Sequence, residues 1–151
     1  MRPEDLPAGP VIVDTMIVSW LFVRSGKHAA FKPFVDHTLA AGHRILISFA
    51  TLGEIRAWAH KLEWNSSRVA QLDLALKSYV VLPYDEVVTQ HYGVLQAKLG
   101  DQLKKYGRND MWTAACALSH AELPSILTDD LADFQRIQAE APQLRLAHPD
   151  L

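Results

Sequence analysis

The 151 residues, 49% of them hydrophobic and 21% charged, suit one globular domain with a single core and exclude a disordered or coiled-coil chain. A lone cysteine, Cys116, excludes an internal disulfide and any zinc site built on several thiolates, and it suits a reducing compartment. The net charge of -2 excludes a general electrostatic pull on nucleic acid, so any such affinity has to come from a local patch.

The N-terminus, MRPEDLPAGP, is charged and proline-containing rather than signal-like. The apolar run PVIVD (10–14) predicts the first strand, and helical periodicity follows over 15–24 and 28–41, the second stretch stopped at Gly42. Within the first of these, MIVSWLFV (16–23) is the longest kind of apolar stretch in the chain. It is far short of the ~20 residues that span a bilayer, so a cytoplasmic protein with no membrane contact is expected. RILIS (44–48) predicts a second strand, followed by helices over 51–63 and 66–77, with Asn65 and Ser66 as the start signal of the latter. YVVLP (79–83), closed by Pro83, predicts a third strand before helices over 85–103 and 109–121. SILTD (125–129) predicts a fourth, a helix follows over 131–138, and LRLA (144–147) is a weaker edge strand.

Short, nearly continuous apolar strands alternating with helices predict βαβ units, hence a three-layer α/β/α domain around a mainly parallel sheet of four to five strands. Neither an internal repeat nor a linker divides residues 1–151, so one domain is expected.

Acidic residues recur at one predicted edge of this sheet, beyond the carboxyl ends of the strands, where open parallel sheets collect ligands. Asp14 closes the first strand; the structural alternative is that Asp14 or Thr15 caps the following helix. Glu54 falls beside an apolar stripe of Leu52, Ile55, Ala59 and Leu62, and it also completes a capping-box pattern that begins at Thr51. Asp110 precedes the small-residue face of Met111, Ala114, Ala115 and Leu118, with Asn109 as a plausible N-cap. Asp129 and Asp130 follow the fourth strand, with Asp133 a turn later; adjacent carboxylates repel, and a cation would relieve them. The alternative there is a helix start with one capping and one solvated Asp. As a set, Asp14, Glu54, Asp110 and Asp129 or Asp130 offer hard oxygen donors of the kind Mg²⁺ and Mn²⁺ prefer.

Read together, VIVDTMIV, TLGEI, NDMWTAACAL and TDDLADF resemble the PIN domain, most closely the VapC-type toxins of toxin–antitoxin pairs. The resemblance runs from about residue 10 to residue 148, with the motifs in order and at ordinary spacing. It implies a PIN-like fold and a metal-dependent endoribonuclease that hydrolyses phosphodiester bonds of transfer or ribosomal RNA, inhibits translation, and leaves a 5′-phosphate and a 3′-hydroxyl. Asp14, Asp110 and Asp130 are the implied metal carboxylates, and Glu54 is a ligand or a water-positioning group. Thr15 is the small hydroxyl after the first acid, and Thr128, Asp130 and Phe134 align with the last motif, which favours Asp130 over Asp129. Trp112 and Thr113 depart from the aliphatic pair common after the third acid.

The patch KKYGR offers Lys104, Lys105 and Arg108 for RNA phosphates and Tyr106 for a base. The implied partners are a VapB-like antitoxin, which would use the helical region 51–77 with its Trp58, Leu62 and Trp64 and insert an Arg among the carboxylates, and a second copy of the chain in a homodimer. The alternative from another class is a catalytically weak PIN-fold module that joins an antitoxin in DNA binding and autoregulation. A haloacid-dehalogenase-type phosphatase would need an Asp two residues after Asp14, where Met16 stands.

Overall fold

The structure, a computed structural model, describes residues 1–103 and 107–151. Lys104, Lys105 and Tyr106, together with the side chain of Arg108, lie outside the described residues.

Five strands, β1 (Val11–Val13), β2 (Ile45–Ser48), β3 (Val80–Leu82), β4 (Ser125–Leu127) and β5 (Leu146–Ala147), form one sheet in the order β3-β2-β1-β4-β5. Every pairing is parallel, with Ile12 opposite Leu46 on one side and Ile126 on the other. The helices are α1 (Thr15–Val23), α2 (His28–Ala40), α3 (Phe49–Lys61), α4 (Ser66–Leu76), α5 (Glu86–Leu99), α6 (Gly107–Ser119) and α7 (Leu131–Glu140).

Strand side chains alternate between faces with period two, and the core divides accordingly. Ile12, Leu46 and Ile126 pack with Val88, Leu95, Met111, Ala114, Phe134 and Ile137 of α5 to α7. Val11, Val13, Ile45, Ile47 and Leu127 pack on the other face with Ile17, Phe31, Phe34, Ile55 and Leu72 of α1 to α4. That is the three-layer arrangement expected from nearly continuous apolar strands. Cys116 is buried and free.

Strands pass into helices with almost no loop. Asp14 follows β1 and caps α1, its Oδ1 accepting from the Ile17 amide at 3.1 Å. Ser48 ends β2 and caps α3, its Oγ accepting from the Thr51 amide at 3.1 Å. Asn65, Asp85 and Asp130 cap α4, α5 and α7 in the same way. Side-chain acceptors at these positions satisfy amides that a helix start leaves orphaned.

Two starts differ from expectation. α3 begins at Phe49, so Thr51 lies inside the helix, and Glu54 is no part of a capping box. α6 begins at Gly107, which makes Asn109 a residue of the first turn rather than its cap. In addition, α5 ends at Leu99 rather than near 103, and a short 3-10 turn occupies Pro3–Asp5.

The central strand sets stability. Ile12 is fully buried, so Ile12→Ala is expected to lower the unfolding free energy by about 2–5 kcal/mol in urea titration. Leu74, 69% exposed, is the control, and Leu74→Ala is expected to change it by less than about 0.5 kcal/mol.

Candidate functional site

The carboxyl ends of β1 and β4, the start of α6 and the second turn of α3 meet around a cleft of about 650 Å³ lined by Asp14, Glu54, Asp110 and Asp130. Two further hollows, near 170 and 200 Å³, lie against α4 with no such cluster on their walls.

Asp14 is 5% exposed, and both of its oxygens are engaged. Besides the Ile17 amide on Oδ1, its Oδ2 accepts from the Thr128 hydroxyl and from the Asp129 amide at 3.3 Å. Its own amide donates to the Leu127 carbonyl at 3.2 Å. Capping α1 and facing the cleft are therefore one role, since the cap bond holds the side chain where the cleft begins. Burial pushes its carboxyl up to about 6, against the pull of those hydrogen bonds.

Glu54 accepts from the Thr15 hydroxyl on Oε1 at 3.0 Å and also hydrogen-bonds the Asn109 side chain; burial raises its carboxyl above the ordinary value. Behind Thr15 runs a file of hydroxyls. Thr15 Oγ1 lies 3.2 Å from Thr51 Oγ1, which is 3.3 Å from Ser48 Oγ, which is 3.4 Å from Thr113 Oγ1. Each hydroxyl has one proton to give. Thr15 shares its proton between Glu54 Oε1 and Thr51 Oγ1, and Ser48 also donates to Thr51, so the hydroxyls tie the starts of α1, α3 and α6 together behind Glu54.

Asp110 lies in the first turn of α6. Burial, and behind it the charges of Asp14, Asp130, Asp133 and Glu54, push its carboxyl up to about 8 from an ordinary 3.8. Asp130 caps α7 through the Asp133 amide at 3.3 Å, and its own amide donates to Thr128 Oγ1 at 2.9 Å. Thr128, fully buried, thereby joins Asp14 to Asp130.

The adjacent Asp129 faces elsewhere. Its carboxylate pairs with Lys27 Nζ at 2.6 Å, with His148 Nε2 at 3.8 Å, and it is absent from the cleft wall. Only its amide reaches the site, on Asp14. It is not the solvated residue of the structural alternative, because the ion pair holds it.

Asp133 is the acid to which sequence reasoning gave no role. It is fully buried and accepts from Arg136 Nη1 at 3.2 Å, and Arg136 Nη1 also donates to the Gln102 carbonyl at 3.0 Å. One oxygen each of Asp110, Asp130 and Asp133 lies within 4.8 Å of the others. Its signal was the spacing of three from Asp130 and its place beside Phe134, on the face of α7 that the core covers. The buried hydroxyls of Ser48 and Thr113 were likewise unassigned.

The donors here are carboxylate oxygens, those of Asp110, Asp130 and Asp133 at short mutual range, and Asp14 and Asp110 are driven towards the neutral form. This set fits a hard divalent cation such as Mg²⁺ or Mn²⁺, which takes carboxylates and keeps several waters.

A family model described as PIN domain matches residues 11–140. Ribonuclease VapC1 of Haemophilus influenzae (strain R2866) is 28% identical over 126 residues, covering 83% of this chain and 90% of its own length. Ribonuclease VapC2 of the same species is 28% identical over 96 residues, 64% of this chain and 71% of its own. Among solved structures, VapBC2 from Rickettsia felis bound to a DNA fragment from their promoter superposes with a TM-score of 0.71 at 24% identity, covering 91% of this chain and 97% of that one. VapBC-1 from nontypeable Haemophilus influenzae gives 0.71 at 23% identity, covering 94% and 99%. At these identities the structural likeness speaks for the fold.

Raised carboxyl groups bind protons in the folded chain that the unfolded chain has released, so stability falls as pH rises from about 4 towards about 8. In EDTA, Tm is expected to be several degrees lower at pH 8 than at pH 5, where a domain of this size moves by about 2–4 °C per kcal/mol. Added Mn²⁺ is expected to raise Tm at pH 8 and to do little at pH 5, and Asp110→Asn to remove most of the slope. A profile in EDTA that is flat or rises with pH would count against this account of the charges.

Proposed function

The chain belongs to the PIN domain family, and from that premise we propose that it is a metal-dependent endoribonuclease, the toxin of a pair with a VapB-like antitoxin. The observation that carries the reading is the convergence of Asp14, Glu54, Asp110 and Asp130, from four separate segments, on one cleft at the carboxyl edge of the sheet. The relatives named Ribonuclease VapC support the same activity.

In this reading Asp14, Asp110 and Asp130 hold Mg²⁺ or Mn²⁺, and Asp133 adds negative charge beside them. When bound, the ion polarises a phosphoryl oxygen and lowers the pKa of water. The protein's own part is placement. Asp14 is fixed from both sides by amides and by Thr128, so its oxygens need no rearrangement when charge develops nearby. Glu54, with Oε1 oriented by Thr15, aligns the attacking water and takes its proton. The attack breaks the bond from phosphorus to the 3′ oxygen, which leaves as a hydroxyl and puts the phosphate on the 5′ end. Asn109 steadies Glu54 from the α6 side. Asp129 is a positioning residue: Lys27 turns its carboxylate away while its amide supports Asp14.

Lys104, Lys105 and Arg108, close in sequence to Asp110, are proposed to grip phosphates of a transfer or ribosomal RNA. The protein acts in the cytoplasm as a homodimer that the antitoxin holds inactive. A second reading is a catalytically weak module that binds DNA together with its antitoxin; the Rickettsia felis complex, solved on a DNA fragment from their promoter, favours it.

Incubation of the purified protein with total transfer and ribosomal RNA decides between them. Discrete products are expected with Mn²⁺ or Mg²⁺ and none in EDTA. Removing a catalytic carboxylate is expected to lower the rate by about 10²–10⁴-fold, the range for groups that act on protons or charge in the transition state; Asp110→Asn and Asp130→Asn belong to that class. Asp129→Asn is expected to stay within about tenfold of the parent, since its amide remains. A folded, metal-loaded and antitoxin-free protein that cuts neither pool would transfer the assignment to the DNA-binding module.

A further inference from the structure

We propose that the cleft continues past the carboxylates into a subsite for one unpaired nucleotide of the RNA, its base against Trp58 and its phosphate at Lys61. This rests on the ribonuclease reading above and names where the strand next to the cut lies.

The cleft does not end at the acids. Along α3 its wall is made by Glu54, Ala57, Trp58 and Lys61, at positions i, i+3, i+4 and i+7, and these residues share one face of the helix. Seven residues at ~1.5 Å each carry that wall about 10 Å from Glu54 to Lys61. The facing wall comes from α1, where Thr15, Met16 and Ser19 line the same space and Met16 is 50% exposed. One end of the groove is therefore acidic, and the other pairs a thioether and an indole with a cation at the lip.

The indole is held rather than loose. Trp58 packs on Trp64 with centroids 5.0 Å apart, and Trp64 is itself covered by Arg68 at 4.3 Å and by Phe22 at 5.5 Å. A braced aromatic side chain on the wall of an open cleft is a surface on which an unpaired base can stack with little loss of side-chain freedom.

Lys61 gives one lip of an otherwise acidic cleft a positive charge. Among the described residues that line the cleft there are four carboxylates and one cation, Lys61. A polyanion that reaches the carboxylates needs a counter-charge beside them, and a phosphate one nucleotide along the strand meets it at Lys61.

The test uses the Asp110→Asn protein in Mg²⁺, so that RNA is bound and not cut, with a fluorescein-labelled heptanucleotide RNA of mixed sequence followed by anisotropy between 50 and 300 mM KCl. Trp58→Ala in that background is expected to weaken binding by about tenfold, and Trp58→Phe to restore most of it, because stacking of one base contributes about 1–3 kcal/mol. Lys61→Met is expected to weaken binding several-fold and to flatten the plot of log affinity against log salt by about 0.7, the value for one phosphate contact on a single strand, with Lys61→Arg restoring both. In the otherwise unaltered enzyme, Lys61→Met is expected to raise KM and leave kcat unchanged.

Parental affinity and salt slope in Trp58→Ala and Lys61→Met would overturn the subsite, as would a Trp58→Phe protein as weak as Trp58→Ala. Variants that lose an arginine-bearing amphipathic peptide while keeping RNA would give the surface to a protein partner and also overturn it. If the unaltered enzyme cuts no RNA and the Asp110→Asn parent binds none, the ribonuclease reading itself falls, an outcome separate from unchanged variants of a parent that binds.

Discussion

Negative charge crowded around one partly buried cleft is the constraint around which this fold is arranged. Asp14, Glu54, Asp110, Asp130 and Asp133 lie close enough for four of them to raise the carboxyl of the fifth. Left to themselves such groups would rotate towards water. Here they are held by bonds that belong to the framework: helix-capping amides on Asp14 and Asp130, Thr128 between those two, Thr15 on Glu54, and Arg136 on Asp133. Among the described residues no buried side-chain nitrogen or oxygen lacks a hydrogen-bond partner. The framework supplies donors that hold Asp14, Glu54, Asp130 and Asp133 in place, and the remaining charge is what suits the cleft to a divalent cation.

Much of this was legible in the sequence because the signals were periodic. Five apolar runs mark five strands, and the helix periods fall within a few residues of α1 to α7. At Asp14 and at Asp130 the helix-capping residue also lines the cleft, so the capping and functional readings do not exclude each other. At Glu54 the capping box is absent because Ser48, the last residue of β2, already caps α3, which therefore begins two residues before Thr51. Asn109 looked like a cap because Gly107 and Arg108 looked like loop, yet both lie in the first turn of α6. Asp133 was passed over because an acid on a helix is usually solvated, and only the packing of α7 against the sheet puts it inside. The last motif favours Asp130 over Asp129, but the contact that turns Asp129 aside is not local, since Lys27 is 102 residues distant in sequence.

The file of hydroxyls from Thr113 to Glu54 shows how a departure from the common motif is absorbed. An aliphatic residue at 113 would only pack; a threonine there ties α6, which carries Asp110, to the β2–α3 junction, which carries Glu54. Trp112, the other departure, stacks on Tyr92 with centroids 3.7 Å apart and meets Phe49 at 5.2 Å, so it joins α6 to α5 and to the start of α3. Both unusual residues thus strengthen the placement of Asp110 relative to its neighbours and leave the carboxylates unchanged.

The strand order has a consequence for a chain during its own synthesis. β4, fourth to emerge, lies beside β1 at the centre of the sheet, and its far end carries Thr128, whose hydroxyl is bonded to Asp14. Until that strand has inserted, β1 has a bare edge and Asp14 lacks the donors of Thr128 and Asp129; until Asp130 and α7 arrive, the acid group is incomplete. A nascent chain with its first hundred residues made therefore holds Asp14 and Glu54 but no assembled centre. Long-range pairing of this kind is also slow to form, which delays assembly until the last strands are available. The acid group is thus a product of the complete fold, and no N-terminal piece of the chain holds it.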